Sequence, residues 1–297
     1  MTATSTLRIG TRQSRLALAQ ARIAATAMLP SMGMAELVPI TTRGDEISIR
    51  RPRAGWVATD GQFTRELERA LLDGRVDLVV HSYKDLPTAA VDGLTIGAVL
   101  ERADARDCLI AADGGTLDAL PFGARIGTSS PRRAAQLAAV RPDLIAMPIR
   151  GNVETRLARL AAGEFDALML AAAGLDRLGI EVPDHARLPF DLLLPAPAQG
   201  ALAVQVRASD VSLLASVRPI DHEPTRIAVE AERALLRRIG GGCLAPLGAL
   251  GEVNGGTLRL RAAHEAADGA LVRAEASGSA SQDASVVALV ADRIAAG

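Results

Sequence analysis

Short apolar runs alternate with polar turns and amphipathic stretches along this chain. Residues 7–9 and 36–40 read as strands, with a helical run at 16–28 between them that Ser14 is placed to cap. The stretch 63–72 is amphipathic at helical spacing and ends at Asp73-Gly74. Residues 78–80 then predict a buried strand that delivers the polar run His81 to Asp85 before Pro87 stops it. Strands at 94–100 and 108–111 lead into a second region of regular alternation. There, strands at 125–127, 144–148 and 167–170 each run into a helix, at 131–140, at 153–162 and ending near Arg177. Such alternation predicts a mostly parallel sheet covered by helices. Residues 192–198 read as a crossover, and the strand at 202–206 is placed to return to the first domain. After a linker at 218–220 come a long helix from about 222 to 239, strands at 247–252, 258–263 and 271–276, and a closing helix at 283–295. The expected class is therefore α/β, with two α/β domains (1–100 with 199–217, and 104–194) and a small α+β domain (221–297). No internal repeat is visible.

Composition narrows the chemistry. Hydrophobic residues make up 49% and aromatics 2%, so the cores must be aliphatic. A net charge of -1 lacks the basic excess expected of a nucleic-acid protein. Residues 1–10 have neither a basic start nor an apolar run, and the longest apolar stretch, 167–175, is too short to span a bilayer. Two cysteines, Cys108 and Cys243, make no disulfide framework and fit a reducing cytoplasm. Cys108 lies in an apolar strand and reads as core. All cations but Lys84 are arginines, so a lysine kept there suggests a tight site that admits a compact ammonium.

Three places carry candidate chemistry. Cys243 follows Gly240, Gly241 and Gly242 at a helix end, and Pro246 prevents the helix from resuming. The glycines leave room for a bulky group to bond to the sulfur; the alternative is a helix C-cap beside a small buried cysteine. At the end of the buried strand, Asp85 beside Lys84 is the candidate acid–base or charge-stabilising carboxylate, while His81, next to the strand, reads as structural. Finally, several helix starts carry arginines. Arg12 and Ser14 open the first helix; Ser130 caps the helix whose first turn holds Arg132 and Arg133; Arg150, Gly151 and Asn152, with Arg156 one turn on, repeat the pattern. First-turn cations oppose the helix dipole, so an anion is expected between them and the free amides. Arginine forks suit carboxylates and phosphates, and without a Walker A or GxGxxG pattern a nucleotide is the weaker option. No metal-ligand spacing is present. Residues 41–61 form a polar loop too long for a connection, which reads as a lid or a disordered segment.

These residues lie in motifs that resemble one family over essentially the whole chain, the porphobilinogen deaminases, also called hydroxymethylbilane synthases. The motifs are ThrArgGlnSer (11–14), ThrArgGlyAsp (42–45), HisSer-x-LysAsp (81–85), GlyThrSerSer-x-ArgArg (127–133), ArgGlyAsn-x-x-ThrArg (150–156), AlaGlyLeu-x-ArgLeuGly (173–179) and the cysteine stretch. The resemblance implies two α/β domains of the periplasmic-binding-protein type. It also implies a dipyrromethane cofactor joined by a thioether to Cys243 on a mobile loop. Four porphobilinogen units would be added head to tail, each losing ammonia to leave an electron-poor azafulvene, and water would free hydroxymethylbilane. Asp85 matches the residue that stabilises positive charge at the pyrrole nitrogens and helps protonate the departing amine. Ser82, Lys84, Thr128, Ser130, Arg132 and Arg133 match cofactor-holding positions. Arg12, Ser14, Arg150, Arg156 and Arg177 match positions that grip substrate or growing chain, and Phe63 matches an aromatic near the cofactor. A monomeric cytoplasmic enzyme acting on a small molecule, without nucleic acid or membrane, is the implied setting.

The lid departs from the family pattern. Ala58-Thr59-Asp60-Gly61 stands where Gly-Gly-Lys-Gly is expected, so an aspartate replaces a cation that would meet carboxylates. An earlier lid lysine is replaced near Trp56; Arg50, Arg51 and Arg53 are placed to supply the missing charge. Ala245 replaces a β-branched residue. Two alternatives stay open on the sequence: a type II solute-binding module, and a relative that keeps the cofactor but elongates poorly.

Overall fold

The computed structural model describes residues 6–32, 34–42, 61 and 63–296, with the backbone alone at 31, 32 and 243. Most of the predicted lid, including Arg50, Arg51, Arg53, Trp56 and Asp60, lies outside the described residues. In chain order the elements begin with β1 (Leu7–Arg12), α1 (Arg15–Met32), β2 (Ala35–Ile40), α2 (Arg65–Leu72), β3 (Leu78–Ser82), β4 (Leu94–Val99) and β5 (Asp107–Ala111). Next come β6 (Arg125–Gly127), α3 (Pro131–Val140), β7 (Ile145–Met147), α4 (Val153–Ala161), β8 (Ala167–Ala171), α5 (Ala172–Arg177), β9 (Leu202–Arg207) and α6 (Val211–Val217). The last are α7 (Glu223–Ile239), β10 (Leu247–Asn254), β11 (Thr257–Glu265), β12 (Leu271–Ser279) and α8 (Asp283–Ala296). The chain divides into two compact units, Met1–Arg102 with Ala201–Arg226, and Ala103–Gly200 with Ile227–Gly297.

The first unit is built on a five-stranded sheet in the order β2-β1-β3-β9-β4. β1 runs parallel to β2 and β3, while β9 is antiparallel to both β3 and β4. The strand expected to return from the second half does so, and it sits between two strands of the first half. Ile9, Leu78, Val204 and Val206 are fully buried in an aliphatic core with Ala21 and Ala24 of α1.

The second unit holds two sheets. One has the order β5-β8-β6-β7, with β6 parallel to both neighbours and β5 antiparallel to β8; the other is the antiparallel meander β10-β11-β12. Cys108 is buried in the core around Leu168 and Leu175, and burial pushes its thiol up to about 11, which keeps it unreactive. Gly248 of β10 packs so closely that a Cβ there would meet the Leu194 carbonyl at 2.9 Å.

Two expectations are corrected. The stretch read as a linker, 218–220, forms a 3₁₀ turn, and the residues before it, assigned no element in the sequence, contain α6, capped by Asp210, whose side chain accepts from Leu213 N, with Leu213 and Val217 buried. Seven residues give too little periodicity to register in sequence. The helix fits because β4 is irregular at Gly97, where a Cβ would lie 2.8 Å from Val217. A repeat is also present. Arg8 and Arg125 each open a strand segment reading ArgIleGlyThr. In each unit the arginine amide donates to an aspartate, Asp77 at 2.8 Å or Asp166 at 2.7 Å, and its Nη2 donates to the carbonyl of Gly74 or Gly163. The shared run is too short to stand out in the chain; the matched hydrogen bonds reveal it.

Candidate functional site

The predicted site residues fall into two sets, one on each unit. In the first unit, β1 ends at Arg12 and β3 ends at Ser82, both at the carboxyl edge of neighbouring parallel strands. Ser14 caps α1, accepting from Ala17 N at 3.2 Å. Arg12 stacks on the Phe63 ring, 4.1 Å from its centroid, which orients the guanidinium through the ring quadrupole. Tyr83 to Asp85 form a single 3₁₀ turn, held because Tyr83 is buried and its amide donates to the Ala201 carbonyl at 3.1 Å. Lys84 and Asp85 on this turn are half-buried. A small cleft is lined by Arg12, Gln20, Phe63, His81, Ser82 and Asp85, so the structure brings the candidate carboxylate, the cation and the aromatic together. Gln20 was not singled out in the sequence; its amide both donates to Ser82 Oγ at 2.7 Å and accepts from it at 3.1 Å. An interior helical glutamine gives no signal until the strand end opposite it is known.

In the second unit, Thr128 leaves β6 buried, and its Oγ1 accepts from Ser130 N at 3.2 Å. Ser130 caps α3, accepting from Arg133 N, and Asn152 caps α4, accepting from Thr155 N at 2.8 Å. Ser129 joins the two helix starts: its Oγ donates to the Ile149 carbonyl at 2.7 Å and accepts from the Ile149 amide at 3.0 Å. The anion expected between Arg132 and Arg133 is part of the protein. Asp107 lies 2.7 Å from Arg132 and 2.6 Å from Arg133, with all three side chains buried. Burial alone would raise the Asp107 carboxyl, but the two arginine charges hold it well below its ordinary value. Gln199 Nε2 also donates to Asp107, at 2.9 Å. Sequence reading missed Asp107 because it opens β5, distant in the chain from α3.

The remaining cations are less enclosed. Arg150 and Arg156 are half-buried, and Arg156 Nε donates to the Gly151 carbonyl at 2.9 Å. Gly151 has φ +111°, and a Cβ there would strike Thr155 at 2.8 Å, so this turn needs glycine. Arg177 Nη2 donates to the Gly200 carbonyl at 2.6 Å, and burial lowers its guanidinium to about 10. Cys243 occupies a 3₁₀ turn, Gly242–Leu244, just beyond α7. Gly240, Gly241 and Gly242 all have positive φ (88°, 84° and 56°), so backbone conformation requires the glycines.

The donor set can be tested against a dipyrrole bearing acetate and propionate groups. Arg132 Nε is buried without a hydrogen-bond partner among the described residues, and Arg177 has a carbonyl as partner and no paired carboxylate. Desolvated guanidinium groups with donors to spare, beside capped helix starts, fit a polycarboxylate. No group of His, Cys, Asp and Glu able to hold a metal occurs among the described residues.

The fold is α/β, with one unit bearing a carboxylate at a strand end and the other bearing buried guanidinium groups. Residues 7–215 match the family model described as porphobilinogen deaminase, dipyromethane cofactor binding domain, and residues 226–296 match the porphobilinogen deaminase C-terminal domain. The porphobilinogen deaminase of Roseiflexus sp. (strain RS-1) is 47% identical over 292 residues, covering 97% of this chain and 95% of the relative. That of Desulforudis audaxviator is 50% identical over 275 residues, covering 92% and 88%. Among solved structures, the periplasmic VFT2 domain of Bordetella pertussis BvgS is similar over 72% of this chain and 85% of that one, with a TM-score of 0.41 and 12% identity. The chain belongs to the porphobilinogen deaminase family. It is a transferase of tetrapyrrole biosynthesis with a dipyrromethane cofactor-binding domain.

Proposed function

We propose that this chain joins four porphobilinogen units head to tail on a dipyrromethane carried by Cys243, with loss of ammonia at each addition, and releases hydroxymethylbilane. When bound, the dipyrromethane supplies the free pyrrole carbon onto which each new unit is joined. The observation that carries the reading is Asp85, a single carboxylate lining a cleft with Arg12, Phe63 and Ser82. A fixed carboxylate near pyrrole nitrogens stabilises positive charge there and exchanges a proton with the departing amine. Arg12 and Ser14, at the start of α1, grip the acetate and propionate of the incoming unit, and Phe63 holds the Arg12 guanidinium in place. Arg150, Arg156 and Arg177 neutralise carboxylates as the product lengthens. Ser82, Lys84, Thr128, Ser130, Arg132 and Arg133 hold the cofactor, the last two already oriented by Asp107.

Further parts of the reading rest on the sequence. The domains are 1–100 with 199–217, 104–194, and 221–297, the last bearing the cofactor cysteine. A monomeric cytoplasmic enzyme acting without nucleic acid or membrane is the setting the family resemblance implies, and the net charge of -1 lacks the basic excess of a nucleic-acid protein.

The test is turnover of porphobilinogen by the purified chain and by Asp85→Asn. Wild type yields hydroxymethylbilane steadily, and the neutral isostere loses about 10²- to 10⁴-fold in rate, the usual contribution of a positioned acid–base group. Full activity in the variant would remove Asp85 from its role. Stalled covalent intermediates on wild type would instead identify a relative that elongates poorly.

A further inference from the structure

At the cleft, whose lining includes His81, and behind it lie three polar side chains that no step above uses. Glu68 of α2, His81 of β3 and Gln205 of β9 are all buried, each less than 8% exposed. Gln205 Oε1 lies 2.9 Å from His81 Nε2, and the Gln205 side chain also hydrogen-bonds to Glu68, as does Thr64. An amide has one acceptor oxygen and one donor NH₂. With the oxygen on the imidazole, the NH₂ must serve the carboxylate, and His81 must carry its proton on Nε2. The three groups therefore form one directed line, His81 to Gln205 to Glu68, across three elements.

The line is costly and well placed. Burial pushes the Glu68 carboxyl above its ordinary value, so an apolar residue there would be easier to accommodate beside Leu67 and Leu71. Its two ends differ in what they support. Glu68 lies one turn beyond Phe63 and Thr64, which line the cleft wall. His81 immediately precedes Ser82 and the turn that presents Asp85. A fully paired polar line fixes one relative placement of α2 and β3, where an apolar contact would allow several.

We propose that Glu68 and Gln205 are positioning residues for the condensation: through His81 they hold the Asp85 turn in register with the Phe63 side of the cleft. The inference rests on the role given to Asp85 above. It predicts a much larger effect on turnover than on substrate capture, because Arg12 and Ser14 lie outside the line and Arg12 meets it only through its contact with Phe63.

The experiment measures kcat, KM and the thermal midpoint of the cofactor-loaded protein with porphobilinogen. In Glu68→Leu and Gln205→Leu, kcat should fall about 10- to 100-fold, the loss typical of a displaced reacting group, with KM within about twofold of wild type and no fall in midpoint. Glu68→Gln should rescue kcat to within about threefold of wild type, since its amide oxygen still accepts from Gln205. Unchanged kcat in the folded leucine variants would overturn the proposal, as would an equal loss in Glu68→Gln. If the leucine variants do not fold, Gln205→Asn decides. Its amide is one methylene too short to reach both partners, so a kcat loss at constant KM supports the line and wild-type kcat overturns it. Asp85→Asn run alongside separates the two claims: an active Asp85→Asn defeats the underlying reading, whereas an inactive one beside active line variants defeats the line alone.

Discussion

Arg132 Nη1 lies 2.7 Å from Oδ2 of Asp107, and neither side chain is open to solvent. Asp107 also takes Arg133 and Gln199, so one carboxylate fixes two guanidinium groups at the start of α3. Those groups are thereby oriented before any ligand arrives, which would lower the ordering cost of the cofactor-holding role proposed for them.

Removing that carboxylate leaves two buried cations uncompensated. Asp107→Ala should destabilise the protein by about 3–5 kcal/mol in denaturant unfolding, the usual penalty for breaking a buried pair. The pH dependence has a definite sign. A carboxyl held below its unfolded value of 3.8 contributes stability that is fully present above that value and is lost as pH falls further. Acid unfolding of Asp107→Asn should lack this component, and an unaltered acid limb would contradict the assignment.

Arg177 should trade stability against binding. Its partner is a carbonyl and burial lowers its guanidinium to about 10, so it stays charged at neutral pH while the nearby charge of Asp176 offsets its desolvation only in part. Arg177→Leu is expected to leave the thermal midpoint level or higher and to raise KM for porphobilinogen about tenfold or more, the worth of one charged hydrogen bond. A lower midpoint with unchanged KM would assign Arg177 a purely structural role.

Backbone geometry at the cysteine turn gives a third expectation. Gly241 has φ +84°, and a Cβ there would lie 3.2 Å from the Cβ of Ala245. Gly241→Ala should cost about 1–2 kcal/mol, the penalty of a left-handed non-glycine residue, and slow attachment of the cofactor to freshly made protein. The rate of mass gain on adding porphobilinogen to the unloaded chain measures this; loading at the wild-type rate would refute it.

Charge in the 41–61 loop gives a fourth. Asp60 stands where the family pattern has a lysine, with Arg51 and Arg53 nearby in sequence. Arg51→Ala together with Arg53→Ala should slow elongation and leave partly extended covalent intermediates on the protein. Unchanged turnover would remove these arginines from the mechanism.

What was legible in the sequence follows a physical pattern. Strands and helices with strong caps were read closely: α3 runs from Pro131 to Val140 as predicted, because Ser130, Pro131 and an apolar face agree. Arg12, Ser82 and Asp85 were found because polar residues crowded at the ends of apolar strands stand out, whereas Phe63 came only from the family resemblance. Asp107, Gln20, Glu68 and Gln205 did not, since each gains its meaning from a partner on a distant segment. The arginines at the start of α3 pointed to a bound anion, whereas the anion between them is Asp107 of β5, which local sequence around α3 could not reveal.

The claim on which the account turns is a covalent tether at Cys243, and intact mass under denaturing conditions tests it most directly. Wild type should exceed its polypeptide mass by two porphobilinogen units less two ammonia, and Cys243→Ser should not. An active protein at bare polypeptide mass, or the same surplus on Cys243→Ser, would contradict it.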